Sequence, residues 1–308
     1  MIGVLIRDPS VPRTLELIEQ AEALGVPAVW LTTNGAGRDG LTLLAAAAAR
    51  TSLVRLGTAI IPTWPRHPVS VAQSAQVIDA MAPGRLRIGV GIASGATASQ
   101  VGASFDKPLT AFREYIEQLK ALLTGEAVDL QGKLYTTKAK LDSAVAAPVM
   151  ASALRPGVFK LCGEVADGAI SWMAPWGYLE RAALPALRAG AEAAHRETPP
   201  LIFHVPVCVT TDRDAAVDAA QQQVGLYTRI PSWAAMFAEA GYDTSQGLTD
   251  GYLEDTLVFG DEASVADQLR GFISRGAAEV IAHPVTVGER DASLHATLAA
   301  VAAANAAS

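Results

Sequence analysis

The sequence predicts an α/β fold in which the whole chain, residues 1–308, forms one (β/α)8 TIM-barrel domain. Short apolar runs alternate with amphipathic helical stretches from end to end, and strands joined by long helical crossovers pair in parallel. Eight strands can be counted, which favours a closed barrel over an open doubly wound sheet. Half of the residues are hydrophobic and 18% are charged, so the chain has ample side chains for a closed core.

The first two strands are predicted at residues 3–6 and 28–31. Between them lies a helix with an apolar stripe that ends at Gly25, because glycine readily adopts the positive φ of a helix C-terminus. The next helix, at 41–50, is apolar on nearly every side, which predicts burial on more than one face.

The third strand, at 54–61, begins a strand–helix–strand unit on which the rest of the chain is organised. Three prolines close behind it end this strand, since proline cannot donate to a ladder. Apolar residues recur at helical spacing over 71–82 before Pro83 and Gly84 stop the helix. The fourth strand follows at 86–91 and ends in a glycine-rich turn.

The second half of the chain continues the alternation with less regular insertions. A polar loop at 93–107 leads to an amphipathic helix at 108–123, and a small excursion near 127–137 is predicted as a hairpin outside the barrel. The remaining strands are predicted at 148–151, 168–171, 201–209 and 279–282, with helices at 156–165, 178–196, 212–240 (one long or two short), 261–275 after the N-cap Asp261, and from 291 onward. The segment near 241–260 is predicted to be irregular.

Charge and hydropathy exclude two classes of partner. The net charge of −7 and the lack of any basic run argue against nucleic-acid binding, which needs a basic surface. The apolar start of the chain is too short for a secretory signal or a membrane span, so we expect a cytoplasmic protein that binds neither nucleic acid nor membrane. Cys162 and Cys208 have no metal-ligand spacing and are expected to be small core residues, with no metal site.

The turn after the fifth strand is the candidate anion site. Arg155 and unpaired backbone N–H groups of the turn at 151–158 lie at a predicted helix N-terminus, whose partial positive charge can hold a phosphate. The alternative is an ordinary helix start with Pro156 in its first turn, and the local sequence alone favours it. The stretch 89–94 superficially resembles a dinucleotide fingerprint, but it lacks the third glycine and a helix directly after it, so we reject that function.

Several motifs resemble the bacterial luciferase-like family of flavin- and deazaflavin-dependent oxidoreductases. They are Gly57-Thr58-Ala59, Arg66-His67-Pro68, Gly84-Arg85-Leu86-Arg87-Ile88-Gly89-Val90-Gly91, Gly163-Glu164-Val165-Ala166-Asp167-Gly168 and Val265-Ala266-Asp267-Gln268-Leu269. The resemblance extends over most of the chain. It implies a barrel that binds a flavin or deazaflavin cofactor and a homodimer formed through the early helices.

The resemblance also implies positions for the cofactor. The phosphate site falls on Leu154, Arg155 and Gly157, although the family usually has glycine near the first two. A strand bulge with a non-prolyl cis peptide at Ala59-Ile60 supports the cofactor ring from one face, and an ordinary core strand is the alternative. The stretch after the fourth strand is rich in small residues that let the ring approach the backbone closely, and its cofactor-binding positions are Gly91, Ile92 and Ala93.

Two departures from the family's pattern bear on the chemistry. Many members carry an Asp-His pair after the second strand, where this chain has Thr33-Asn34, and sugar-phosphate dehydrogenases of the family carry Glu where this chain has Ser94. Asn34 and Ser94 can donate hydrogen bonds but are not general acids or bases near neutral pH. They are catalytic candidates together with His283, which follows the last strand and would face the mouth of the barrel. The alternative for His283 is a histidine that only ends the strand beside Pro284.

Aromatic residues follow two of the predicted strands. Trp64, Trp172 and Trp176 come after the third and sixth strands and are candidates for a hydrophobic substrate wall, with ordinary packing as the alternative. His67 and His204 are expected to be structural.

Without a general base, oxidation of an alcohol is disfavoured, and reduction of an activated double bond or imine is favoured because the cofactor carries the hydride chemistry. The resemblance therefore implies hydride transfer between reduced coenzyme F420 and an unsaturated or imine-type small organic substrate. Two alternatives stay open: an FMN-dependent monooxygenase that uses oxygen, and a flavin- or deazaflavin-binding protein that has lost catalysis. A small-molecule substrate and a separate flavin or F420 reductase are the expected partners.

Overall fold

The computed structural model describes residues 1–33, 36–92, 95–103 and 106–306, apart from the side chains of residues 96 and 97. Its strands are β1 (Ile2–Leu5), β2 (Ala28–Leu31), β3 (Arg55–Thr58), β4 (Ile61–Pro62), β5 (Leu86–Gly91), β6 (Val128–Gln131), β7 (Thr136–Ala139), β8 (Val149–Ala153), β9 (Gly168–Ser171), β10 (Leu201–Val209), β11 (Val258–Gly260) and β12 (Glu279–Pro284). Its helices are α1 (Val11–Ala23), α2 (Gly40–Ala48), α3 (Pro68–Met81), α4 (Gly95–Gln100), α5 (Pro108–Leu123), α6 (Pro156–Val165), α7 (Trp176–Tyr178), α8 (Leu184–Ala193), α9 (Arg213–Val224), α10 (Pro231–Ala240), α11 (Asp250–Thr256), α12 (Glu262–Ser274) and α13 (Arg290–Ala306). None of the helices in these described ranges is long and apolar enough to cross a membrane.

Eight parallel strands of the described chain close into a barrel. Their order around the ring is β1, β2, β3, β5, β8, β9, β10 and β12, and β12 pairs with β1 to complete it. β11 adds a parallel strand beside the end of β10, and β6 and β7 form an antiparallel hairpin outside the ring. This architecture confirms the predicted (β/α)8 barrel and the excursion near 127–137.

Several elements have the bounds that the sequence predicts. The helices at 108–123 and 156–165 coincide with α5 and α6, and each begins with a proline, which fits the first turn because its missing N–H is not needed there. Asp261 caps α12 as predicted, since its carboxylate accepts the N–H of Ser264 at 2.8 Å. Strands β9 and β10 also match the predicted ranges.

Three segments differ from the prediction. α4 lies inside the predicted loop 93–107, and α11 and β11 lie inside the segment near 241–260 that we predicted to be irregular. Each has at most seven residues, which is too few for a hydrophobic period to be recognised. Thr249 begins α11 by accepting the N–H of Tyr252 at 3.3 Å. The strand predicted at 54–61 is broken into β3 and β4 by an irregularity at the mouth of the barrel.

Two further segments that we predicted to be helical are divided into shorter helices. The region at 212–240 forms two helices, α9 and α10, joined by a 3-10 turn. The helix predicted at 178–196 consists of α7, a π-helical turn and α8.

Cys162 and Cys208 are buried, and burial raises the pKa of their thiols to about 12 and about 11, so both are core residues as predicted.

Inside the barrel, an ion pair joins two strands on opposite sides. Arg87 lies on β5 and Glu279 on β12, which are four strands apart around the ring, and their side chains meet in the interior. The Arg87 guanidinium lies 4.5 Å from the ring centroid of Trp30, whose Nε1–H donates to Glu279 Oε1 at 2.8 Å. Gly3 and Gly57 on the intervening strands make room for this indole, because a Cβ at Gly57 would lie 2.4 Å from it. The buried charges are therefore paired and enclosed.

Candidate active site

The mouth of the barrel lies at the C-terminal ends of its strands, and the third barrel strand is irregular there. Gly57 pairs with Arg87, an offset of 30 residues, whereas Ile61 on β4 pairs with Val90, an offset of 29. One side of the ladder thus has one more residue than the other. This is a β-bulge, a feature that is frequent beside active sites.

The bulge is held by both neighbouring strands. Thr58 Oγ1 takes over the ladder contacts to β5 by donating to the carbonyl of Gly89 at 2.9 Å and accepting its N–H at 2.8 Å. On the side of β2, the carbonyl of Ile60 accepts the N–H of Thr33 at 3.2 Å. The peptide bond between Ala59 and Ile60 is cis, at the position that the resemblance implied.

Two glycines of β5 make room for the bulge. A Cβ at Gly89 would lie 1.9 Å from the carbonyl oxygen of Thr58, and a Cβ at Gly91 would lie 2.8 Å from the side chain of Ile60. The glycine spacing of β5 therefore specifies where the bulge sits. The predicted ring-contacting residues at this edge of the mouth are Ala59, Ile60, Gly91 and Ile92, while the predicted Ala93 lies outside the described residues.

Two buried histidines meet at the mouth beside β10 and β12. His204 Nε2 and His283 Nδ1 are 3.0 Å apart, and the N–H of Met173 donates to His204 Nδ1 at 3.3 Å. The indole of Trp172 stacks on His204 with 3.6 Å between ring centroids. His283 lines a cavity at the mouth, as its position at the strand end predicted, and His204 fixes the orientation of its ring.

The hydrogen bonds assign the protons of the two rings. Because His204 Nδ1 accepts a backbone N–H, its own proton lies on Nε2 and is donated to His283, whose proton then lies on Nε2. Burial lowers the pKa of His283 to about 3, and the positive charge of Arg7 contributes in the same direction. Burial, followed by the neighbouring His283, lowers the pKa of His204 well below its usual value. Both rings are neutral near pH 7, so His283 can orient a ligand by donating its N–H but does not exchange a proton with it.

The free energy of unfolding is expected to fall as the pH falls from about 6.5, the ordinary histidine value, towards 3. In this window the unfolded chain binds a proton at His283 that the folded protein does not bind, so acid favours unfolding. The contribution is complete above about pH 6.5 and changes by at most about 1.4 kcal/mol per pH unit. Urea unfolding at pH 4 to 8 measures it.

His283→Gln should make this dependence shallower, because one of the two buried histidines that bind a proton only in the unfolded chain is removed while His204 remains. The matched control is His295→Gln, which replaces an exposed histidine on α13 and should leave the slope as in the original protein. Equal slopes for the original protein and His283→Gln would contradict the neutral assignment.

The turn between β8 and α6 carries the predicted phosphate-binding residues. Arg155 is the N-cap of α6 and its side chain makes no capping hydrogen bond, while a Cβ built at Gly157 would meet nothing within 4 Å. The N–H of Gly157 lies in the first turn of α6, where N–H groups have no acceptor within the helix. With Leu154, these residues form an open cradle at the positive end of a helix dipole, and this donor set suits a phosphate.

Arg155 has an anionic partner beside this cradle. Its Nη2 lies 2.5 Å from Glu239 Oε1 on α10, and the hydroxyl of Tyr178 lies 3.1 Å from Glu239 Oε2 and 3.0 Å from the carbonyl of Leu154. The hydrogen bond from Arg155 is the main reason why the pKa of Glu239 is lowered. Both charged side chains are well exposed, so water screens the pair and its contribution is small. The guanidinium can therefore exchange this carboxylate for a phosphate at little cost.

The three tryptophans proposed as a substrate wall lie in different places. Trp172 is at the mouth against His204, and Trp64 is half-buried after β4. Trp176 packs between Phe203 and Phe272. Since neighbouring residues of a strand point to opposite faces, this is the side of β10 away from His204, and the packing alternative describes Trp176. His67 caps α3 through Nδ1, which confirms its structural role.

A cavity of about 500 Å³ opens at the ends of β1, β2 and β12. Its walls combine apolar residues such as Leu5 and Leu31 with His283 and four charged residues, which are Arg7, Asp8, Arg38 and Arg290. The catalytic candidates Asn34 and Ser94 lie outside the described residues, so their contribution stays a prediction.

The contacts of His204 with His283 and Trp172 were not predicted from the sequence, and neither was a role for Arg7 or Arg38. Arg7 directly follows the first predicted strand, so its position at the C-terminal end of a barrel strand was the available signal. His204 and His283 occupy adjacent strands, and their meeting depends on the register Val205↔Ala282 that only the structure provides.

The fold and the bulged mouth define a class of protein, the (β/α)8 barrels with a cis peptide in the third barrel strand. Comparison with known proteins identifies the family. Residues 3–279 match the family model described as luciferase-like monooxygenase. The chain therefore belongs to the luciferase-like monooxygenase family.

The chain is similar to several individual members of known function. The 5,10-methylenetetrahydromethanopterin reductase of Methanolobus tindarius is 30% identical over 207 residues, which cover 66% of this chain and 63% of that protein, less than two thirds of its length. The F420-dependent glucose-6-phosphate dehydrogenase of Kineococcus radiotolerans is 27% identical over 292 residues, covering 86% of this chain and 84% of that protein. The solved coenzyme F420-dependent tetrahydromethanopterin reductase of Methanopyrus kandleri has the same fold, with a TM-score of 0.82 and 22% identity over 97% of this chain and 96% of that chain.

Proposed function

We propose that the chain is an oxidoreductase that binds coenzyme F420 and transfers a hydride from its reduced form to an unsaturated or imine-type small organic substrate. The observation that carries the proposal is the pairing of a bulged β3 with an open, positively polarised turn after β8. These elements are two strands apart, about 10 Å, so a ring against the bulge and a phosphate at the turn fit one elongated cofactor. The F420-dependent relatives support the deazaflavin, and the family's monooxygenase description supports FMN as the alternative.

Each part of the mouth has a separate task in this proposal. The bulge at Ala59 and Ile60 supports one face of the ring, and Arg155 with the N–H of Gly157 holds the phosphate. Bound and reduced, the coenzyme supplies a hydride to the substrate carbon. His283 donates its Nε2–H to the nitrogen of an imine, or to the oxygen of the group that activates a carbon–carbon double bond, and so orients the substrate. Because both histidines are neutral, the proton that completes the reduction comes from water.

Calorimetric titration of the apo protein with coenzyme F420, and separately with FMN, tests the proposal. Tight binding of F420 is expected, and Arg155→Ala should weaken it about tenfold or more, since a hydrogen bond to a charged group contributes about 1.5 to 3 kcal/mol. The matched control is Arg50→Ala, which removes another half-exposed arginine paired with a glutamate, Glu19. Preference for FMN would favour the monooxygenase alternative, and binding of neither would contradict the proposal.

We also propose that the chain forms a homodimer and works with a separate reductase that regenerates its reduced cofactor. The dimer is supported by exposed apolar side chains near α2 and α3, namely Leu53, Val77 and Met81. Sedimentation equilibrium would measure the association.

A further inference from the structure

Two arginines at the mouth of the barrel have no carboxylate partner in the part of the chain that the structure describes. Arg7 lies two residues after the end of β1, Arg38 lies two residues before the start of α2, and both are exposed and line the cavity of about 500 Å³. The chain has 31 acidic residues against 24 lysines and arginines, so most of its cations could find a carboxylate partner. Two arginines without such a partner in one cavity therefore indicate a binding site for an anion.

The carboxylates closest to these arginines in sequence are already occupied. Asp8 forms an ion pair with Arg290 and accepts the N–H of Ser10 at 2.8 Å. Arg290 also donates to the carbonyl of Arg7 at 2.9 Å, which fixes the backbone from which the Arg7 side chain extends.

Asp39 is occupied on both oxygens as well. Its Oδ1 lies 2.8 Å from Arg66 Nη2, and its Oδ2 accepts the N–H and the hydroxyl of Thr42 at 2.9 and 2.6 Å. Arg38, next to it in sequence, is thus left to the cavity. Arginine binds carboxylate and phosphate through a planar fork of donors, which is the chemistry that these two side chains offer.

The position of the cavity separates it from the turn proposed for the cofactor phosphate. Arg7 follows β1 and Arg155 follows β8, and these strands lie opposite each other in the ring of eight. His283, on β12, lines the same cavity as Arg7. The volume is within the range of about 300 to 1,000 Å³ that small-molecule sites occupy.

We propose that this cavity binds the substrate and that the substrate is an oxyanion, whose carboxylate or phosphate is held by Arg7 and Arg38 while its reducible bond lies at His283. Identifying the bound oxyanion as a substrate rests on the proposed function, whereas the anion site itself is inferred from the two arginines and the cavity alone. It narrows the class of acceptor from small organic molecules to unsaturated acids or phosphate esters.

Titration of the apo protein with cinnamate and phenyl phosphate, each against its neutral counterpart cinnamamide or phenol, tests the site without any cofactor. Each anion is expected to bind at least tenfold more tightly than its neutral counterpart, and the Arg7→Gln/Arg38→Gln double variant should lose that preference. Arg7→Lys/Arg38→Lys should retain part of it, and Arg50→Gln should retain it fully. The stronger of the two anions identifies the source of the oxyanion.

Two results would overturn the inference. One is the absence of an anion preference in the original protein, including failure of all four probes to bind. The other is loss of F420 binding in Arg7→Gln/Arg38→Gln, which would assign the arginines to the cofactor. If the original protein does not bind F420 yet prefers the anions, the proposed function fails and the anion site stands.

Discussion

Glu279→Gln is expected to destabilise the barrel by about 3 to 5 kcal/mol, the range for breaking a buried ion pair from one side. Glutamine keeps the shape of the side chain and can still accept the N–H of Trp30. It leaves the Arg87 guanidinium charged in the barrel interior, where the side chain of residue 279 is 2% exposed. Equilibrium unfolding in urea measures the loss.

The control for this prediction is Asp129→Asn, which removes the partner of Lys138 in an exposed pair of the outer hairpin. That change should cost less than about 1 kcal/mol. The double variant Arg87→Met/Glu279→Gln should regain part of the stability, because no buried charge is then left alone. A cost for Glu279→Gln no larger than that of Asp129→Asn would show that the interior pair is solvated.

Gly89→Ala is expected to cost about 3 kcal/mol and to disturb the bulge. The new Cβ would lie 1.9 Å from the carbonyl oxygen of Thr58 and 2.9 Å from Ile170 Cδ1. The first neighbour is backbone, so it cannot turn aside as a side chain does. Moving it breaks the two hydrogen bonds between Thr58 Oγ1 and the backbone of residue 89.

Urea unfolding measures the global effect, and calorimetric titration with F420 measures the local one, which should be a marked loss of affinity. Gly271→Ala is the control, since a Cβ there meets nothing within 4 Å. It lies inside α12, where alanine is favoured over glycine, so it should be neutral or stabilise by up to about 1 kcal/mol. Unchanged stability and affinity in Gly89→Ala would contradict the account of the bulge.

The sequence predicted those elements whose signals are local. α6 begins at Pro156 and ends as predicted because proline fixes its first turn and an apolar face repeats over ten residues. α11 was missed because its seven residues contain about two turns, too few to show a period. Its cap, Thr249, is recognisable only once the helix is known.

The candidate site depends on pairings that sequence order conceals. Asp8 is adjacent to Arg7 but pairs with Arg290, which lies 282 positions away, so the free cation could not be identified from the chain. His204 and His283 are likewise 79 positions apart. The cis peptide could be placed only through the resemblance to a family, since the local residues are also compatible with an ordinary strand.

The bulge of the third barrel strand depends on a single extra residue. The offset between the paired strands changes from 30 to 29 across it, so removal of one residue from 58–60 would restore a single uniform ladder from β3 through β4. The third barrel strand would then be regular, and the mouth of the barrel would lack the bulge. A single residue in this segment thus decides whether the mouth of the barrel carries the bulge proposed to support the cofactor ring.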